Sequence, residues 1–244
     1  MHIVIPVALG VGGATMIGAI IGFAFKRFSK KFSNTVLAFA AGVMLAASVL
    51  GLILPSLDYG GSSAIWITVI GIFVGAACMT FLDKTVIYMQ KSSKTRCIGN
   101  SRVMLFVLAI AIHNLPEGIA AGVGFGAGNS ADGMLIAIGI AFQNIPEGMI
   151  IISPMLSAGV KPIKAFVIAI LTGVIEIIGT FAGYFAVKFA VLILPFALSF
   201  AGGTMIYVIC NDMIPETHSK SNGAASLFML IAGFCLMLAV DFFL

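Results

Sequence analysis

The chain has 244 residues, of which 61% are hydrophobic and 9% charged, and its mean hydropathy is +1.17. A soluble domain carries about a quarter of its residues as Asp, Glu, Lys and Arg, so too few polar side chains exist here to cover a water-exposed core, and an integral membrane protein is expected. The net charge of +4 comes from short basic clusters between apolar runs, which excludes a nucleic-acid-binding face.

About 20 apolar residues at 1.5 Å rise cross the hydrocarbon, and eight segments meet that requirement: Ile3–Phe25, Thr35–Leu57, Ile65–Met89, Val103–Phe125, Met134–Leu156, Ile163–Val187, Val191–Ile214 and Ala225–Phe243. The connections between them are too short for a soluble insertion. One all-α transmembrane domain over residues 1–244 is therefore expected. The first segment is too long for a cleaved signal peptide and lacks a basic leader, so it reads as a retained helix. Cys78, Cys97, Cys210 and Cys235 show no CxxC spacing and read as small core residues.

The basic residues Lys26, Arg27, Lys30, Lys31, Lys84, Lys91, Lys94, Arg96, Arg102, Lys161, Lys164 and Lys220 fall on one side of this arrangement, and Lys188 alone on the other. By the positive-inside bias both chain ends lie outside the cytoplasm, in the cell (inner) membrane. The outer side carries Asp58, Asp132 and Asp241 with almost no compensating cation, a mouth that favours cations over anions.

Two internal echoes follow. His113-Asn114-Leu115-Pro116-Glu117-Gly118-Ile119 in the fourth segment recurs in the fifth as Gln143-Asn144-Ile145-Pro146-Glu147-Gly148-Met149, and Phe39–Met44 in the second is echoed by Phe200–Met205 in the seventh. The members of each pair run in opposite directions, so both echoes are inverted, and transporter sites commonly lie where such repeats meet.

Glu117, Glu147 and Glu176 sit near mid-span. A carboxylate at the centre of a lone helix costs roughly 2.5–3.5 kcal/mol on the insertion scale, and no Lys or Arg lies at similar depth to pair with these three. A proton or a bound cation must neutralise them. His113 and Glu117 are spaced i, i+4 and share a face, with Asn114 on the adjoining stripe; Gln143, Asn144 and Glu147 repeat the pattern. Pro116 and Pro146 cannot bond the carbonyls of Ile112 and Phe142, so each helix is expected to kink or open there, freeing a carbonyl as an ion ligand. One imidazole with carboxylates and amides suits a divalent first-row cation, Zn²⁺ first, then Fe²⁺, Mn²⁺, Co²⁺ or Cd²⁺. Met44 lies on the Gly-rich face of the second segment and carries a soft thioether, but taken alone it reads as lipid-facing or core filler among 13 methionines.

HNLPEG and QNIPEG, with AAGVMLAAS, LPSLD, the Glu-bearing sixth segment and YVICNDMIPE, resemble the ZIP (Zrt/Irt-like) divalent metal transporters over nearly the whole chain. The resemblance implies a 3+2+3 arrangement in which helices 1–3 and 6–8 are inverted repeats around helices 4 and 5, and a homodimer. It also implies a two-metal centre, with Met44, His113, Glu117, Gln143 and Glu147 around a first metal and Asn114, Asn144 and Glu176 around a second. In that scheme Glu117 and Glu147 bridge the two, Asp58 and Asp241 stand at the entrance, and Asn211 and Asp212 line the cytoplasmic exit.

Many family members carry His at the position of Gln143, and some an acid at Asn144. The exchange of stronger ligands for amides puts the second metal in doubt and predicts looser metal selection. The segment 90–102 lacks the His-rich loop that relatives often carry. The implied activity is uptake of the metal into the cytoplasm. A membrane metalloprotease would need an HExxH-type pair of histidines, which the sequence lacks. The alternative is a proton-coupled transporter of an organic solute that uses the same buried carboxylates.

Overall fold

The computed structural model describes residues 4–25, 29–59, 61–92, 114–126, 130–157, 160–189, 193–217 and 223–243. Every regular element among them is helical. In chain order they are α1 (Val4–Phe25), α2 (Lys30–Tyr59), α3 (Ala64–Ser92), α4 (114–126), α5 (Ser130–Ser157), α6 (Pro162–Phe189), α7 (Leu194–Thr217) and α8 (Gly223–Phe243). Six of these, all but α4 and α5, are long and apolar enough within the described residues to cross a membrane. His113 and residues 103–112 of the expected fourth span lie outside the described residues, as does Cys97.

The helix starts follow local chemistry. Ser29, extended at ψ 145°, accepts the backbone N–H of Phe32 at 3.1 Å and so caps α2. Pro162 and Pro195 stand at the first turns of α6 and α7, where a missing N–H leaves no bond unmade.

Neither α2 nor α7 is regular throughout. Ser48–Ile53 in α2 and Ile209–Met213 in α7 are π-helical, closed by i→i+5 bonds from Leu54 N–H to the Val49 carbonyl and from Ile214 N–H to the Ile209 carbonyl. In each case a proline, Pro55 or Pro215, comes next in the chain. It cannot donate to the carbonyl four residues back, and the wider turn carries the chain past it. The sequence placed its breaks elsewhere, at Pro116 and Pro146. Yet α5 stays α-helical from Ser130 to Ser157 through Pro146, while the turn before Pro116, with Ile112, lies outside the described residues. The neighbouring helices hold α5 along its length, and one missing N–H does not open it.

α1 packs along α5 and α6, α3 along α7, and α2 along α8 and α5. Small residues set these contacts, as the Gly-xxx-Gly spacings anticipate. A methyl added at Gly18 would lie 2.2 Å from the carbonyl oxygen of Ile145, and one at Gly179 would lie 2.7 Å from that of Leu115. Large apolar side chains face outward, including Trp66, Phe73 and Phe81 on α3 and Phe228 and Phe242 on α8. Thr15, Asn114, Glu117, Gln143, Asn144 and Glu176 are turned inward. That inversion suits a lipid surround.

Candidate metal centre

Four helices contribute one buried polar cluster. Thr15 on α1, Asn114 and Glu117 on α4, Gln143 and Asn144 on α5, and Glu176 on α6 are each at most 2% exposed. Backbone proximity makes this possible, because a methyl on Gly118 would lie 2.2 Å from the carbonyl oxygen of Glu176 and one on Gly148 would lie 2.3 Å from that of Thr15. The glycine of each Pro-Glu-Gly triplet thus seats α4 against Glu176 and α5 against Thr15.

The side chains form a continuous network. Gln143 Nε2 donates to Glu117 Oε2 at 2.6 Å and to Asn144 Oδ1 at 2.7 Å. Asn144 Nδ2 in turn donates to Glu176 Oε2 at 2.6 Å and to the Val11 carbonyl at 3.2 Å. Asn114 Nδ2 donates to Glu176 Oε1, and the Thr15 hydroxyl stands 2.8 Å from Oε1 and 2.9 Å from Oε2 of the same carboxylate. Glu147, half-buried, lies within Coulombic reach of both Glu117 and Glu176.

Two acceptors stand outside this pattern. Asn114 Oδ1 and Gln143 Oε1 are buried and find no protein donor among the described residues, a state that costs about 1–3 kcal/mol per group. Each amide gives its N–H groups to a carboxylate or a neighbouring amide, which turns its carbonyl oxygen away from them. An oxygen so placed, beside a buried carboxylate, suits a cation. No three of His, Cys, Asp and Glu converge closely enough among the described residues to hold an ion by themselves. Among the described residues, the donors beside the carboxylates are these amide oxygens.

The sequence matches the ZIP zinc transporter family over residues 85–241. It is 33% identical to the zinc transporter ZIPB of Bordetella bronchiseptica, over 99% of this chain and 82% of that protein. It is 34% identical to the zinc transporter ZupT of Chlorobaculum parvum, over 93% and 91% of the two chains, and 30% identical to the zinc transporter GufA of Myxococcus xanthus, over 96% of each. The chain belongs to the ZIP family. Members of this family are transporters and not enzymes.

In this ZIP protein the remaining expected residues fall at different places. Met44 on α2 is 1% exposed and shares a buried cluster with Ala120 and Ala121 of α4 and Ile140 of α5. Asp58, at the end of α2, and Asp241, near the end of α8, are both exposed and stand apart from the cluster. Asn211 and Asp212 lie in the π-helical turn of α7, where Asn211 Nδ2 donates to Asp212 Oδ1 at 2.9 Å. Cys78, Cys210 and Cys235 are unbridged. Thr15 was not among the expected residues. A Thr in an apolar helix ordinarily bonds a carbonyl one turn back, and only the long-range packing of α1 on α6 reveals its different partner.

Proposed function

We propose that this ZIP protein carries divalent transition-metal ions, zinc first and Fe²⁺, Mn²⁺, Co²⁺ or Cd²⁺ less selectively, into the cytoplasm through the buried cluster. The observation that carries this reading is the pair of unpartnered amide oxygens, Asn114 Oδ1 and Gln143 Oε1, beside the buried carboxylates of Glu117 and Glu176. That is a donor set lacking only a positive guest. Relatives named zinc transporters over nearly their full lengths support zinc as the cargo.

On this reading the ion passes the exposed acids Asp58 and Asp241, sheds water among Met44, His113, Glu117, Gln143 and Glu147, and leaves past Asn211 and Asp212. Asn114, Asn144 and Glu176 complete the polar lining. The chain crosses the cell membrane eight times with both ends outside, as the distribution of its basic residues favours. Helices 1–3 and 6–8 are inverted repeats about α4 and α5. Paired contacts support that relation: Gly18 of α1 meets α5 at Ile145 as Gly179 of α6 meets α4 at Leu115, and Gly42 of α2 meets the Leu230 carbonyl as Gly203 of α7 meets that of Ile72. A homodimer belongs to the same proposal.

The test is uptake of Zn²⁺, Fe²⁺, Mn²⁺ and Cd²⁺ into proteoliposomes by the wild type and by Glu117→Ala, Glu147→Ala and His113→Ala. Loss of uptake by at least tenfold, in variants that remain folded, is expected. Wild-type rates for every metal in all three variants would overturn the site. Transport of an organic solute that persists in chelator would replace the metal reading with the proton-coupled one.

A further inference from the structure

The near-equal distances from the Thr15 hydroxyl to the two oxygens of Glu176, 2.8 and 2.9 Å, place it on the bisector of the carboxylate, in the fork between Oε1 and Oε2. That fork is where a carboxylate chelates a metal through both oxygens. Each oxygen also accepts from an amide, Oε1 from Asn114 Nδ2 and Oε2 from Asn144 Nδ2. A carboxylate has about four acceptor positions, and three protein donors among the described residues serve Glu176, the single Thr15 hydroxyl proton being shared between its two oxygens. Among the described residues Glu117 accepts from one side-chain donor, Gln143 Nε2, on its Oε2.

We propose that Thr15 is a positioning residue that occupies the chelating fork of Glu176, so that Glu176 orients Asn114 and Asn144 without ligating metal and the centre holds one ion instead of two. The proposal rests on the metal-transport reading and sharpens it. Glu176 fixes the N–H sides of both asparagines, and that leaves Asn114 Oδ1 directed away from it. The negative charge of Glu176 still stabilises a cation nearby through space. Thr15 is fully buried, and a methyl on Gly148 would meet its backbone oxygen, so the α1–α5 contact fixes the backbone that carries the hydroxyl.

Metal stoichiometry tests this. Chelator-stripped protein in detergent is dialysed to equilibrium against Zn²⁺ and, separately, Cd²⁺, and metal per chain is counted by elemental analysis. Wild type and Thr15→Ser, which keeps the hydroxyl, bind one ion per chain. Thr15→Ala, which clears the fork, binds two. Two ions on the wild type, or one ion on a folded Thr15→Ala, overturns the role of Thr15 while leaving metal transport intact. Binding of no ion by the wild type overturns the metal reading itself. Should Thr15→Ala not fold, the wild-type count still decides, since two ions there would exclude a blocked Glu176.

Discussion

Gln143 Nε2 donates to Glu117 Oε2 at 2.6 Å, joining the two helices that carry the Pro-Glu-Gly motifs. The bond uses the amide's donor side and leaves its oxygen without a donor among the described residues, which on the proposed reading turns it to the ion. An amide oxygen is a weaker and less selective ligand for zinc than an imidazole nitrogen. Gln143→His should therefore shift competition uptake toward Zn²⁺ over Mn²⁺ by roughly 5–10-fold, equivalent to about 1–1.4 kcal/mol. An unchanged Zn²⁺/Mn²⁺ ratio in dual-isotope uptake would show that Gln143 does not touch the ion.

Carboxylates and imidazole bind metal only when deprotonated, so protons compete with the cargo. Zn²⁺ affinity should fall as the medium is acidified and recover as it is made alkaline. Substituting Glu117→Gln removes one competing proton and should flatten that dependence while weakening binding at every pH. Equilibrium dialysis across a pH series measures both effects, and a slope identical to wild type would remove Glu117 from the ligands.

The seating of α4 on α6 and of α5 on α1 leaves no space for a side chain at Gly118 or Gly148. Overpacking of this kind costs about 1–3 kcal/mol. Gly118→Ala and Gly148→Ala should each lower the midpoint of thermal unfolding in detergent and weaken metal binding together, because the displaced backbones carry Glu176 and Thr15. Gly13→Ala is the control. Nothing lies within 4 Å of a methyl there, and Ala favours a helix over Gly by about 1 kcal/mol, so its midpoint should hold or rise.

Orientation can be read by labelling. In a background with all native cysteines replaced, Asp58→Cys and Asp241→Cys, both at exposed positions, should react with an impermeant maleimide added to intact cells. Lys84→Cys should react only after permeabilisation. The reverse pattern would invert the positive-inside assignment.

The paired motifs made α4 and α5 legible in the sequence, because a carboxylate with an amide and a histidine, or with two amides, in an apolar helix has no packing explanation. Their neighbours in α1 were not legible. Thr15 lies 161 residues from Glu176, and nothing local to an isolated Thr announces a carboxylate partner. The prolines misled in one respect. Pro146 drew attention as a helix breaker because it adjoins an acid, yet among the described residues the backbone irregularities stand at Pro55 and Pro215, in the turns that precede them. Proline states that one hydrogen bond is missing; the surrounding packing decides whether the helix bends, widens or continues.

The widened turn in α2 also resets the angular frame of that helix. A π-turn holds one residue more than the α-turn it replaces, and in an α-helix one residue is worth about 100° of rotation at 3.6 per turn. Asp58 therefore does not share the azimuth with Met44 that a uniform helical wheel would assign. Excising a single residue between Ser48 and Ile53 would return the widened turn to an ordinary α-turn and leave Asp58 on its present bearing, whereas the same deletion in the regular part of α2 would swing the outer tip by about 100°.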